Sequence, residues 1–237
     1  MNTNTSEVER RRSGIAARTP DRYDGAMSEV GLVHIIDDDA GVRKALSSLI
    51  RSVGNEVRAY ESTSEFLQSE IPAVPSCLLL DVRMPGSNGL DFQVLLQNQG
   101  IEISVILMTG YGDIQMSVQG MKAGAIDFLT KPLRHQDVLV AVAAALSRDS
   151  ERLKEGAEIS AVRAEYATLT PRETQVFALV TSGQMNKQMA GELKLSEITV
   201  KLHRGSMMKK MGVRTVADLV KKAEVLRRAG KPSRAGT

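Results

Sequence analysis

The sequence predicts an α/β domain followed by a small all-α domain, and three observations carry that prediction. Between residues 30 and 147, short apolar runs bounded by turn or charged residues alternate with stretches whose apolar residues recur at helical spacing. Residues 166–228 hold several helix start and stop signals but no strand-like run. The charge also changes sign: 30–147 contain 8 Lys and Arg against 13 Asp and Glu, while 166–228 contain 12 against 5. Five alternations of buried strand and amphipathic helix imply a doubly wound, five-stranded parallel sheet. An acidic half joined to a basic half implies two domains with different partners, one of them a polyanion.

Each element has its own signal. Leu32 to Ile36 is a buried strand that ends in Asp37-Asp38-Asp39. Val42, Leu46, Leu49, Ile50 and Val53 then repeat at helical spacing, and Gly54 stops that helix. Glu56–Tyr60 reads as a second strand and Ser62–Gln68 as a second helix, capped by Ser62 or Ser64. Leu78 to Asp81 closes an apolar run before the Pro85-Gly86 turn and reads as a third strand. A third helix, Asn88–Gln97, turns Leu90, Val94 and Leu95 inward. Ser104–Met108 is a fourth strand, Asp113–Met121 a fourth helix, Ala125–Leu129 a fifth strand and Gln136–Leu146 a fifth helix. The polar stretch up to Tyr166 lacks proline and reads as a helical extension or linker. Beyond it, Thr170-Pro171-Arg172-Glu173 is a capping box with proline at the first helical position. Asn186–Leu193 is a short helix, Ser196 caps a longer one to about Met211, and Thr215 opens the last.

Composition narrows the classes. The chain has 237 residues, 42% hydrophobic and 25% charged, ordinary for a soluble protein. No apolar run approaches the roughly 18 residues of a membrane span. No apolar core follows the N-terminal arginines, which argues against a secretory signal and for the cytoplasm. The single cysteine, Cys77, lies in a predicted strand and reads as a core residue. Residues 1–29 lack apolar periodicity and are expected to be a disordered tail, with Met27 as an alternative start.

The acidic residues converge. In strand order 2-1-3-4-5, the first and third strands are neighbours, so Asp37, Asp38 and Asp81 meet at the switch point beyond their carboxyl ends. Such carboxylates repel one another, and nothing basic adjoins them in sequence. They read as a solvated acidic patch or as a site for a hard divalent cation such as Mg²⁺. Thr109 and Lys131 end the fourth and fifth strands and add a hydroxyl and an ammonium to the same mouth. A carboxylate nucleophile, a metal and two donors suit phosphoryl transfer. A dehalogenase-like phosphatase would need a second Asp where Arg83 stands. A calcium loop starting at Asp37 would need Gly and Glu where Val42 and Ser48 stand.

Asp37-Asp38, Asp81-x-x-Met84-Pro85, Thr109-Gly110 and Lys131-Pro132 together resemble the receiver domain of two-component response regulators. The resemblance implies that Asp81 accepts a phosphoryl group from a sensor histidine kinase. It implies that Asp38 and Asp81 ligate Mg²⁺ directly, Asp37 through water, and Arg83 by its backbone carbonyl, with Mn²⁺ as a substitute cation. It further implies phosphoryl binding by Thr109 and Lys131, an aromatic switch at Phe128, and a cis Lys131–Pro132 bond.

The basic region contains a short helix, a tight turn and a second capped helix, a helix-turn-helix whose second helix enters the major groove. Lys187, Lys194, Lys201, Arg204, Lys209 and Lys210 offer cations for phosphates. Val200, Met207, Met208 and Met211 read as core. Leu169-Thr170-Pro171-Arg172-Glu173, Asn186-Lys187 and Thr199-Val200-Lys201-x-His203-Arg204 look like the LuxR-type DNA-binding domain, and the whole resembles a FixJ/NarL-type transcriptional regulator. The resemblance implies base-edge contact by Lys201 and Leu202 and phosphate contact by Lys187, Thr199, His203 and Arg204. Gly205 departs from members with a basic residue there.

The expected organisation is a receiver at 30–147, a helical linker at 148–165, a DNA-binding domain at 166–228 and a disordered tail at 229–237. The expected partners are double-stranded DNA, a sensor histidine kinase, a second copy when phosphorylated and RNA polymerase, with no membrane. Turnover as an enzyme is not expected beyond slow self-dephosphorylation.

Overall fold

The computed structural model describes residues 30–110 and 114–230, with side chains except at Ser87 and residues 114–117. The N-terminal tail and the tail beyond residue 230 lie outside the described residues. Strand β1 (Leu32–Ile36), helix α1 (Ala40–Ser52), strand β2 (Glu56–Tyr60) and helix α2 (Thr63–Leu67) come first. Then follow β3 (Ser76–Asp81), a small ribbon of β4 (Arg83–Met84) and β5 (Ser87–Asn88), and α3 (Gly89–Asn98). β6 (Ser104–Thr109), α4 (Ile114–Lys122), β7 (Asp127–Thr130) and α5 (His135–Ala167) complete the first half. The second half is α6 (Pro171–Thr181), α7 (Asn186–Leu193), α8 (Glu197–Lys210) and α9 (Val216–Ala229).

The large sheet is five-stranded in the order β2-β1-β3-β6-β7, all pairs parallel. Counting its own strands alone, that is the expected 2-1-3-4-5. Side chains alternate between its faces. Val33, Ile35, Cys77, Leu79, Ile106 and Met108 pack against α1 and α5. Ile36, Leu78, Leu80 and Leu107 pack against Phe66 of α2 and Leu90, Phe92 and Leu96 of α3. Both faces are covered, so the strands read as continuous apolar runs rather than as alternation. Cys77 is buried in this core, and burial pushes its thiol up to about 12, which makes it inert at neutral pH.

Several local details differ from the sequence reading. Ser62, not Ser64, caps α2 and accepts from Glu65 N–H. Asn88 caps α3 rather than opening it. That frame turns Gln93 and Leu96 inward and leaves Val94 and Leu95 exposed, at 44% and 38%. A buried glutamine is tolerable because its amide donates to the carbonyls of Gly120 (3.4 Å) and Ala123 (2.7 Å) at the end of α4. The ribbon after Asp81 forms where the sequence suggested only a turn. α9 takes in Ala229, which the sequence reading gives to the C-terminal tail.

Helix α5 does not stop near Leu146. It runs for 33 residues, since nothing between 147 and 167 breaks it. Its far half is fastened to the sheet. Buried Asp149 accepts the N–H of Ser76, the first residue of β3, at 2.8 Å. Arg152 bonds Asp149 (2.9 Å) and reaches Glu102 (3.2 Å).

The four C-terminal helices enclose their own core of Val176, Phe177, Val180, Met189, Val200, Met207, Met211 and Leu219, with Tyr166 of α5 packed on it. The capping box at Thr170 and Glu173 is formed. Glu173 is buried and also bonds Lys210 and Ser206 of α8. These donors hold its carboxyl down at about 2, Lys210 contributing most. A depressed folded value means the stabilisation is complete above the ordinary glutamate range and is lost as pH falls toward 2. The α6 and α8 amides should therefore lose hydrogen-exchange protection on acidification from about 4.5. Glu173→Gln should abolish that dependence while costing about 1–3 kcal/mol at neutral pH. Unchanged exchange in the variant at both pH values would contradict this role.

Candidate functional site

The three consecutive aspartates after β1 do three different things. Asp37 is buried, its Oδ1 accepting Asp39 N–H at 3.0 Å. Asp38 points into solvent. Asp39 caps α1, accepting from Gly41 N–H (2.7 Å) and Val42 N–H (3.2 Å). β1 and β3 run side by side with Ile36 level with Leu80, so Asp81 emerges next to Asp37. Ligand oxygens of Asp37, Asp38 and Asp81 lie within 4.8 Å of one another.

Lys131 follows β7 and reaches back to the same point, and its peptide bond to the following Pro132 is cis. Its Nζ donates to Asp37 Oδ2 (2.7 Å) and Asp81 Oδ2 (2.6 Å). The cation that sequence adjacency lacked thus arrives from the far strand. Burial pushes the Asp37 carboxyl above its ordinary value, against the pull of Lys131, while the Asp81 charge adds to the push. Burial pulls the Lys131 ammonium down, but its bonds to Asp37 and Asp81 outweigh this and hold it above the ordinary lysine range. Arg83 N–H donates to the other Asp81 oxygen at 3.2 Å.

Thr109 ends β6, between β3 and β7. It is fully buried, and its hydroxyl has no partner among the described residues. A buried hydroxyl without a partner is costly, so it marks a place where a ligand oxygen can be received. Phe128, on β7, is half-buried against the core formed with α3.

Residues 33–143 match the response regulator receiver domain family, and residues 167–223 match the bacterial regulatory proteins of the luxR family. The chain is 49% identical over 199 residues to nodulation protein W of Bradyrhizobium diazoefficiens, covering 84% of this chain and 88% of that protein. It is 46% identical over 196 residues to the response regulator protein TmoT of Ectopseudomonas mendocina, covering 83% and 89%. This chain belongs to the two-component response regulators. Among solved structures, the response regulator StyR superposes with a TM-score of 0.75 at 42% identity, covering 82% of this chain and 98% of that one. The regulator therefore carries a receiver and a LuxR-type DNA-binding domain.

In that second domain, α7 and α8 form the helix-turn-helix. The turn between them has Lys194 in the left-handed region (φ 55°), where a glycine is more usual. Ser196 caps α8, its Oγ accepting Thr199 N–H at 3.1 Å. Lys187, Lys201 and Leu202 are exposed, whereas Thr199 and His203 are half-buried. Arg204 is engaged, its Nη1 donating to Asn186 Oδ1 of α7 at 2.9 Å. Lys210 is spent on Glu173 and the Thr168 carbonyl, so it holds α6 to α8 instead of offering a free cation for phosphate. No helix among the described residues is long and apolar enough to cross a membrane.

Sequence reasoning missed Gly89. A Cβ there would lie 2.5 Å from the Asp81 carbonyl oxygen and 2.9 Å from Val82 Cα. Helix α3 can begin against the end of β3 only because that position has no side chain. The signal was available, since Gly89 follows the Pro-Gly turn by three residues. Gly89→Ala must displace backbone next to Asp81. It should cost about 1–3 kcal/mol, read as a lower urea midpoint. A variant with unchanged midpoint would show that α3 shifts without strain.

Proposed function

We propose that this regulator is switched by Mg²⁺-dependent phosphorylation of Asp81 from a sensor histidine kinase. The observation that carries this reading is the convergence at one mouth of three carboxylates, the Lys131 ammonium and the partnerless Thr109 hydroxyl. The donor set suits a hard divalent ion: all-oxygen ligands, one of them solvent-facing. Asp38 and Asp81, with the Arg83 carbonyl, would hold Mg²⁺ or Mn²⁺ directly and Asp37 through water. The ion would supply charge neutralisation at the phosphoryl oxygens.

The chain's own groups do the rest. An Asp81 carboxylate oxygen forms the new bond to phosphorus as the bond to the donor's imidazole nitrogen breaks. Lys131 turns from Asp37 and the Asp81 carboxylate to meet the added charge, and Thr109 donates its hydroxyl to a phosphoryl oxygen. Movement of Thr109 leaves space for Phe128 to turn inward. Self-dephosphorylation is slow, and the protein is no enzyme in the turnover sense.

Residues 30–147 act as the receiver, 148–165 as the linker and 166–228 as the DNA-binding unit. The face from α4 to α5, where Val118, Met121 and Val140 are exposed, becomes a dimer surface on phosphorylation. Met116, also expected there, has a side chain outside the described residues. A dimer sets two copies of α8 one DNA turn apart on an inverted repeat. Lys201 and Leu202 meet base edges, while Lys187, Thr199, His203 and Arg204 lie near phosphates. The partners are DNA, the kinase, a second copy and RNA polymerase, in the cytoplasm.

Two outcomes follow. With acetyl phosphate and Mg²⁺, intact mass should show one phosphoryl adduct on the wild-type chain and none on Asp81→Asn. A full adduct on the variant would sink the assignment. Sedimentation should show monomer without the phosphoryl donor and dimer with it, accompanied by a tenfold or greater gain in DNA affinity, roughly 1.4 kcal/mol. An unchanged oligomeric state with unchanged affinity would defeat the switch.

A further inference from the structure

The outward face of α8 has features that the folded domain does not explain. Ile198 and Leu202 are 73% and 69% exposed, one helical turn apart. Lys201 lies between them, and Gly205 continues the same stripe one turn on. The opposite face, with Val200, Met207 and Met211, is fully buried. A Cβ built on Gly205 meets no atom within 4 Å, so no packing in this chain requires glycine there. Glycine inside a helix is less stable than alanine. Exposed isoleucine and leucine likewise gain nothing from water. All three residues cost the isolated domain something, or give it nothing, on the one face that carries the basic charge.

DNA supplies the missing partner. Lys201 and Lys209 are exposed on this helix, Lys187 and Lys194 are exposed on α7 and in the turn before α8, and such lysines suit a polyanion. An apolar side chain cannot hydrogen-bond a base edge. The apolar group it can meet in the major groove is the 5-methyl of thymine. We propose that Ile198, together with Leu202, forms a thymine-methyl-reading surface, and that Gly205 is kept bare so that α8 seats deeply enough for both to touch the base edges. This rests on the reading that α8 enters the major groove. It adds two residues with no base-reading role so far, Ile198 and Gly205, and the chemical group they select.

The test uses the full chain with acetyl phosphate and Mg²⁺. Sites are selected from a randomised duplex pool, and the best site is resynthesised with uracil replacing each thymine in turn. Uracil lacks only the methyl. At one or two thymines the wild-type chain should lose about fourfold in affinity, the worth of one buried methyl. Ile198→Ser, at an exposed position that leaves the fold intact, should abolish that sensitivity at one of them. Gly205→Ala should raise the melting temperature yet weaken the selected site about tenfold, leaving binding to unrelated DNA unchanged. Stability and affinity then move in opposite directions, which a structural role for the glycine would not produce.

Indifference to uracil at every thymine, or full uracil sensitivity in Ile198→Ser, would overturn the methyl reading while leaving DNA binding by α8 intact. A Gly205→Ala chain that binds as tightly as wild type would overturn the seating role. If no sequence is enriched and binding is insensitive to salt, the reading of α8 as the DNA helix falls as well.

Discussion

The receiver half is built around one electrostatic problem. Two carboxylates about 5 Å apart repel by roughly 3 kcal/mol at an effective dielectric of 20, and Asp37 is fully buried besides. Lys131 resolves this by bonding both Asp37 and Asp81. That solution requires a particular topology. β1 and β3 must be neighbours to bring the carboxylates together, and β7 must stand one strand beyond β6 for its lysine to reach across. Thr109 then lies under the lysine's path, at the end of the intervening strand. The strand order, the chemistry and the burial of the site are one constraint seen three ways.

β3 is held at both of its ends. Asp81 is tied to Lys131 at the carboxyl end, and Ser76 is tied to Asp149 of α5 at the amino end. The same helix packs along the sheet and continues without interruption to Ala167, where Tyr166 joins the core of the DNA-binding helices. A rigid element of this kind transmits position but does not switch. Switching needs a part with two arrangements. The proposed switch gives that part to Thr109, whose hydroxyl has no partner among the described residues, and to the half-buried Phe128.

Much of this was legible in the chain itself. The apolar runs set the strands, because a sheet covered on both faces leaves no alternation to misread. Asp37, Asp81, Thr109 and Lys131 could be found from strand ends alone. The inward face of α3 was misjudged, because hydrophobicity ranks Val94 and Leu95 above Gln93, while the amide nitrogen of the buried glutamine donates to carbonyls some thirty residues away. A helical extension or linker beyond Leu146 was foreseen, but not that it forms one unbroken helix with α5, because a polar surface helix has no apolar stripe to show where it begins or ends. What Gly89 abuts and what engages Lys210 were invisible for a common reason. Each depends on what lies across from it in space, which no local pattern records.

Each half of the chain buries a carboxylate next to a lysine and a hydroxyl, and the contrast separates a structural group from a reactive one. Glu173 meets Lys210, the Ser206 hydroxyl and the Thr170 N–H, so its charged form is satisfied and its carboxyl is held at about 2. Nothing is left for a ligand to do there. At the receiver mouth, burial pushes Asp37 the other way, Asp38 faces solvent, and the buried Thr109 hydroxyl bonds none of them. One lysine is shared between two carboxylates, where the other domain gives a whole lysine to one. The first arrangement is complete as it stands and serves to lock α6 to α8. The second gathers three carboxylates around the Lys131 ammonium, and a divalent cation would redress that charge while a phosphoryl oxygen would meet the partnerless Thr109 hydroxyl. The same three residue types therefore make a clamp when their hydrogen bonds close and a binding site when they do not.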